Sequence, residues 1–493
     1  VSENRRAGLL LMLTVAYLLP LTQVWGGAGD AGTLLYGAQR VSEGQVPGRD
    51  FFEVMGPGSF YWLGLFFDVF GKGWQVTRLQ LLLTGVGTVG LLYSMARQVC
   101  GAGTAVLAWL FVLVTGMPLW PETSHHWDSN LFAVAAVWCY LRFEKTGQTA
   151  WVMAAGGLAA VTACFLQQKG VYLLAALVVC AVWKAHGARL LTGGFGVVAL
   201  AVVGYFWQAG ALPGLFYANV MFPLTAYRTL NALPYAYGWL GAALSPVVQI
   251  LGKGNAIAGL LSGGIACVPV LVLVTLPLLL AVVLAAKREW PQRVLLLTGA
   301  AIWISELHRP DVFHLAYGSP VLAVALFGAV RNAGRVLSAV LAGGLLAFGG
   351  MTLAAHVSGV HNVETRRGTV QTAVDTGALE FLCTHVQARE WVFVYPYNPI
   401  YYFLADVRNP TRFSILLYGY NTDGQFAEVV GDLESKRVPW VVWNSDVYGE
   451  KLRTWFPAYR QPAVANLRLE RYLQEHYEEA DVTGGVRVLR RVR

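Results

Sequence analysis

The chain has 493 residues, of which 56% are hydrophobic and 13% charged, with a mean hydropathy of +0.50. Soluble domains carry about 25% charged residues, so this composition excludes an ordinary soluble protein and specifies a polytopic membrane protein. The net charge of +8 comes without a lysine-rich run, which argues against a nucleic-acid partner, and the six cysteines form no CxxC, so neither a disulfide framework nor a zinc site is expected.

In chain order, Arg5 and Arg6 precede an apolar run reaching Trp25, which reads as an uncleaved signal anchor. Residues 26–57 follow, a stretch too polar to sit in lipid, with acids at Asp30, Asp50 and Glu53. Residues 57–71 carry Asp68 in their middle and read as an interfacial or re-entrant helix rather than a span. A span needs about 20 apolar residues. Runs of that kind, some of them short, lie at 7–25, 75–96, 102–119, 129–143, 151–166, 170–184, 190–208, 264–286, 293–307, 314–330 and 336–356. The reading is therefore an α-helical membrane domain of about eleven spans over 1–356, with 26–57 as its first outer loop.

Basic residues fix the orientation, since they concentrate on cytoplasmic loops. With the N-terminus inside, the short inner connections hold twelve Lys and Arg against eight on the longer outer ones. This predicts a cytoplasmic N-terminus and an outer C-terminus. Beyond residue 357 the composition turns polar and predicts a small extracytoplasmic α/β domain over 357–493. Residues 364–385 read as helical. Strands are expected at WVFVYPY and VPWVVWN, helices at GQFAEVVGDLESKR and NLRLERYLQEHY, and a closing hairpin around Gly484-Gly485.

In this topology the ionisable residues near membrane level gather on the outer side. They are Asp30, Asp50 and Glu53; then Glu122, His125, His126 and Asp128; then Gln167, Gln168 and Lys169; then His308, Arg309, Asp311 and His314. Each such residue costs about 2.5–3.5 kcal/mol on insertion scales, so they commonly mark function. Each also has a plain alternative. Asp30 suits a turn between glycines, Asp50 and Glu53 suit a solvated loop, and Lys169 suits a snorkelling side chain. His125 and His126 suit an interfacial position, and no metal site is expected of them. The aromatic loop 215–239 suits either a cover for a polyprenyl chain or an interfacial belt. Taken together, a carboxylate can serve as general base for an acceptor, and Lys and Arg can hold a phosphate.

The spacing of Asp30 and Tyr36, followed by Gly44, Pro47, Asp50, Phe51, Phe52 and Pro57, resembles the membrane glycosyltransferases of the GT-C class. It is most similar to bacterial relatives of protein O-mannosyltransferase and of the aminoarabinose transferase that modifies lipid A. The stretches around His126 and Asp128, Arg309 to His314, and 394–413 extend the resemblance. The resemblance implies a polyprenyl-phosphate sugar donor, an unidentified glycan, lipid or protein acceptor, and a place in the bacterial plasma membrane. It also implies that Asp30 is the catalytic base. Ala31 stands where the class often has a second acid, which weakens a metal site, leaves Asp50 or Asp128 as the second carboxylate, and leaves a divalent cation open as cofactor. Lys169, Arg309, His126 and His314 then fall to the donor phosphate. Tyr36, Glu53, His125 and Gln168 fall to the acceptor. The competing reading is a transporter or flippase of lipid-linked precursors, which should show two matching halves with charges near the midplane; the sequence shows neither.

Overall fold

The computed structural model describes residues 3–27, 29–227, 230, 232–251, 256–284, 289–329, 335–444, 450–460 and 467–492. Five cations used in the orientation argument, Arg228, Lys253, Lys287, Arg288 and Arg331, lie outside the described residues.

Among the described residues, six helices are long and apolar enough to cross a membrane: Glu3–Gln23, Trp74–Val99, Ala102–Leu119, Ala188–Gln208, Ala258–Leu276 and Ser338–Val357. They coincide with six of the expected spans and make the chain a multi-pass membrane protein. A seventh crossing is added if Val312–Gly318 and Pro320–Ala329, bent by 67°, form one span. The bend sits where Pro320 opens the second helix, and proline removes a backbone donor there. Residues 129–143 fall within the helix His125–Thr146, and 293–307 largely within Trp290–Ser305. Two shorter apolar helices, Thr149–Phe165 and Gln167–Trp183, are separated by Leu166 in extended geometry.

The chain divides into two compact units. The first comprises 1–24, 81–202 and 234–359. Its main core is a cluster of aliphatic and aromatic side chains that includes Leu110, Phe111, Tyr140, Leu177, Leu295 and Phe348. The second unit joins 25–80, 203–233 and 360–493. The expected boundary at 356/357 therefore lies close to the change at 359/360, while the first loop and residues 203–233 pack with the C-terminal part.

Within the second unit the strand Val392–Tyr395 runs parallel to Trp440–Asn444. That strand pairs antiparallel with Val486–Arg491, which pairs in turn with Tyr477–Thr483. Side chains alternate across this sheet. Phe393, Tyr395, Val441 and Leu489 enter one apolar cluster, and Val392, Val394, Val442 and Val488 the other. Both faces are covered, which is why these strands read as continuous apolar runs. Gly484 and Gly485 take positive φ of 55° and 80° at the hairpin, as a tight two-residue turn requires. Thr422 and Gln425 form a capping box at the helix Asp423–Ser435.

One local expectation is corrected. Residues 364–385 are not one helix. His361–Thr365 and Gly368–Thr372 form an antiparallel hairpin, and the helix covers only Gly377–His385. Val363 and Val370 face each other in register and are both buried. β-Branched residues alternating with polar ones favour a half-buried strand over a helix.

Candidate active site

Each unit carries a cluster of polar side chains. In the second unit the cluster is built on the helix Gly29–Ser42. Its glycines are steric requirements. A Cβ on Gly32 would lie 2.3 Å from the backbone N of Ile400, and one on Gly29 would lie 2.1 Å from the Tyr397 ring. The first turn thus rests directly on residues 397–400. Asp30 is exposed in that turn and accepts a hydrogen bond from the Tyr397 hydroxyl. A carboxylate at a helix N-terminus is also favoured by the helix dipole. Further along the helix, the Tyr36 hydroxyl accepts from the Asn409 N–H at 2.9 Å, and the Tyr36 ring packs on Tyr402. Tyr36 therefore supports the helix rather than pointing outward.

The loop after this helix places two acids in opposite states. Asp50 accepts from the Val46 N–H at 2.7 Å and is held by Arg49 at 2.8 and 3.0 Å. The Arg49 hydrogen bonds hold its carboxyl below the usual range. Glu53 is buried. Its neighbour Phe52 donates its N–H to the Arg412 carbonyl at 2.9 Å, tying this loop to residues 412–414. Burial pushes the Glu53 carboxyl up to about 8, against the opposing pull of the Ser414 hydrogen bond and Arg40, and the charge on Asp30 pushes it further up. Its Oε1 has no hydrogen-bond partner among the described residues. At neutral pH Glu53 is a protonated acid and Asp50 a committed carboxylate. A buried, perturbed, unsatisfied carboxyl is the usual mark of a functional position rather than of a loop solvated by its charges.

In the first unit the cluster centres on Glu306, just past the helix Trp290–Ser305. Lys169 lies in the first turn of Gln167–Trp183 and is fully buried. Its Nζ donates to Glu306 Oε1 at 2.7 Å, Ser129 Oγ at 2.8 Å and Asn130 Oδ1 at 2.7 Å. An ammonium has three donors, so all of them are engaged. His126 Nδ1 lies 2.9 Å from Glu306 Oε2, and its ring stacks on Tyr317 at 4.4 Å. His314 Nδ1 meets Asp311 Oδ1 at 2.8 Å, and Arg309 Nε meets Asp311 Oδ2 at 2.8 Å. Burial pushes Asp311 up, but His314 and Arg309 outweigh it and hold the carboxyl low. His308 and His125 border the group, and Gln168 Nε2 lies 3.5 Å from His308 Nδ1. Asp128 is buried in the first turn of His125–Thr146.

His126, Glu306 and His314 offer ligand atoms within 4.8 Å of one another. The His314–Asp311 contact resembles the carboxylate support that metal-bound histidines use. The Lys169 ammonium already neutralises Glu306, however, so the group is charge-compensated by the protein itself.

Sequence reasoning singled out His126, Lys169, Arg309 and His314, and the structure brings them into one group. It places Asp30, Tyr36, Asp50 and Glu53 in another. It adds Glu306, Tyr397, Ser414 and Arg40. Glu306 had a readable signal, being a single acid at the end of an apolar run. Tyr397 and Ser414 had none, because loops distant in sequence bring them to the site, while Arg40 lies on the same helix as Asp30 and shows in the sequence as a charge of the first loop.

Comparison with known proteins gives a family match over part of the chain and a fold. Residues 54–207 match the family described as dolichyl-phosphate-mannose-protein mannosyltransferase. The crystal structure of ArnT from Cupriavidus metallidurans bound to undecaprenyl phosphate is similar with a TM-score of 0.60 at 12% identity, covering 99% of this chain and 98% of that one. The Archaeoglobus fulgidus oligosaccharyltransferase, in complex with Zn and sulfate, is similar with a TM-score of 0.54 at 13% identity, covering 96% of this chain and 72% of that one. No curated protein matches the chain in sequence.

Proposed function

We propose that this chain is a membrane glycosyltransferase of the GT-C class, a reading its fold and its partial family match support, and that it moves a sugar from a polyprenyl-phosphate donor to an acceptor on the outer face of the membrane. The observation that carries the reading is the pair Asp30 and Glu53. Asp30 is exposed, fixed by Tyr397, and able to receive a proton. Glu53 is held neutral by burial and carries an unpartnered oxygen. The donor class is taken from the undecaprenyl phosphate bound by the ArnT structure.

In the proposed step the acceptor oxygen attacks the anomeric carbon and its proton passes to Asp30. The bond from that carbon to the lipid phosphate breaks, and the electron pair leaves with the phosphate. Attack opposite the leaving group inverts the anomeric centre. Glu53 is assigned to the acceptor side, with Tyr36 supporting it through the helix Gly29–Ser42, and in the first unit His125 and Gln168 carry the acceptor assignment of the sequence reading. His126, Arg309 and His314 are assigned to the donor phosphate, and Lys169 acts through Glu306, because its own donors are spent. Asp50 and Asp128 are the alternative bases. The orientation belongs to the same proposal: about eleven spans, N-terminus inside, and an α/β domain at 357–493 outside.

The test uses right-side-out membrane vesicles. Transfer should occur when a polyprenyl-phosphate sugar and acceptor are supplied to the outer face, and Asp30→Asn should abolish it. Movement of labelled donor across the membrane with no sugar transferred would instead favour a flippase.

A further inference from the structure

The second unit contains a cavity of about 770 Å³, within the roughly 300–1,000 Å³ of small-ligand sites. Arg40, Arg389, Arg408, Arg412 and Lys436 line it, with Trp391 among them. Three of these cations are paired. Arg389 takes Glu43 through both guanidinium ends at 2.7 and 2.8 Å, Arg412 takes Glu428 at 2.7 and 3.0 Å, and Lys436 takes Asp432 at 2.8 Å. The other two are not matched by a carboxylate contact among the described residues. Arg408 is exposed and lies 5.9 Å over the Trp391 ring. Arg40 is 7% exposed, with Nε on the Gln45 side chain and Nη2 on the Asp50 carbonyl at 2.8 Å. Its Nη1 is buried without a hydrogen-bond partner among the described residues.

The acids nearest Arg40 do not meet this need. Asp50 gives its carboxylate to Arg49 and the Val46 N–H. Glu53 is kept protonated by burial. A buried guanidinium with an unmet donor costs free energy unless something fills it. The group that fits a guanidinium fork is a planar or tetrahedral oxyanion, a carboxylate or a phosphate.

We propose that this cavity is a binding site for an anionic sugar, one bearing phosphate or carboxylate, with Arg40 and Arg408 taking the oxyanion and Trp391 bounding the ring. The oxyanion half of this assignment rests on the cavity alone, and the sugar half rests on the glycosyltransferase reading above.

The experiment measures binding, without any donor, to the purified full-length protein in nanodiscs. The probes are glucose 6-phosphate, glucuronate, glucose and inorganic phosphate. Glucose 6-phosphate and glucuronate should bind at least ten-fold more tightly than glucose, and more weakly as salt rises. Arg408→Gln, an exposed change that the fold tolerates, should weaken both by about ten-fold and leave glucose unchanged. Arg40→Lys should weaken both as well. Equal affinity for glucose and glucose 6-phosphate, absence of binding, or indifference to Arg408→Gln would overturn the assignment. Inorganic phosphate binding as tightly as glucose 6-phosphate would overturn the sugar half. Displacement of glucose 6-phosphate by undecaprenyl phosphate would reassign the site to a lipid phosphate and overturn the proposal. Arg408-dependent binding in a protein that transfers no sugar would leave this site standing and sink the glycosyltransferase reading instead.

Discussion

The Lys169 group in the first unit and the Asp30 group in the second are both polar, yet they balance their charges differently. Around Lys169 every ammonium donor is used and the ammonium matches the charge of Glu306, while Glu306 Oε2 and His125 Nδ1 stay buried without a hydrogen bond among the described residues. Around Asp30 the satisfaction is incomplete. Asp30 is exposed, Glu53 has a buried oxygen without a partner, and Arg40 has a buried nitrogen without one. A buried charge held by its counter-charge fixes its surroundings, whereas a buried guanidinium without one carries a cost that a ligand can relieve. The difference argues that residues chosen by the same sequence rule, charge at membrane level, do different work. Lys169 is paired within the fold, and the proposed reaction gives Asp30 and Glu53 to the substrate.

The largest expected effect breaks the Asp30 side. Asp30→Asn keeps shape and the contact with Tyr397 but removes the base, so turnover should fall about 10²–10⁴-fold while donor affinity stays unchanged. A steady-state assay paired with a donor-binding measurement checks this, and a mutant with near-normal turnover would remove Asp30 from the chemistry.

The next breaks the Lys169 side. Glu306→Gln leaves the Lys169 ammonium buried without its counter-charge, which should destabilise the fold by about 3–5 kcal/mol. Thermal unfolding in detergent reads the loss. Replacing both partners, as Glu306→Gln with Lys169→Met, should recover most of it. If the double variant is no more stable than the single one, the pair is not acting as a structural lock.

A smaller effect is a pH slope. The folded-state carboxyl of Glu53 sits at about 8, above the range of an unfolded glutamate. Between those values the folded state holds a proton that the unfolded state has lost, so stability is greatest at low pH and declines as pH rises through about 5 to 8. The slope is at most about 1.4 kcal/mol per pH unit. Glu53→Gln should flatten the curve across that window. A wild-type stability that is level from pH 5 to 8 would show that Glu53 is ionised in the fold.

The smallest is Asp50→Asn. Asp50 is engaged with an exposed arginine, and such pairs are worth about 0–1 kcal/mol. Stability and turnover should both stay close to wild type. A dead Asp50→Asn enzyme would move the base from Asp30 to Asp50.

Much of the architecture was legible because lipid imposes one rule on every residue of a span. Apolar runs of about 20 residues announce themselves without knowledge of their partners, and six of the expected spans appear as helices of that length. The strands at 392–395 and 440–444 and the Gly484-Gly485 hairpin were legible for the same local reason, through side-chain alternation and turn chemistry. The hairpin at 361–372 was not. Polar residues over 364–385 suit a helix or a strand, and the burial of Val363 and Val370 decides between them. The residues worth singling out were also legible, since a charge at membrane level is conspicuous wherever it goes. What the sequence could not determine was which charges are satisfied. That depends on Glu306 meeting a lysine 137 positions earlier, on Tyr397 reaching Asp30 and Ser414 reaching Glu53 across more than 300 residues, and on the burial that keeps Glu53 protonated. Pairing and desolvation are properties of atoms brought together by folding, and only the tertiary structure decides them.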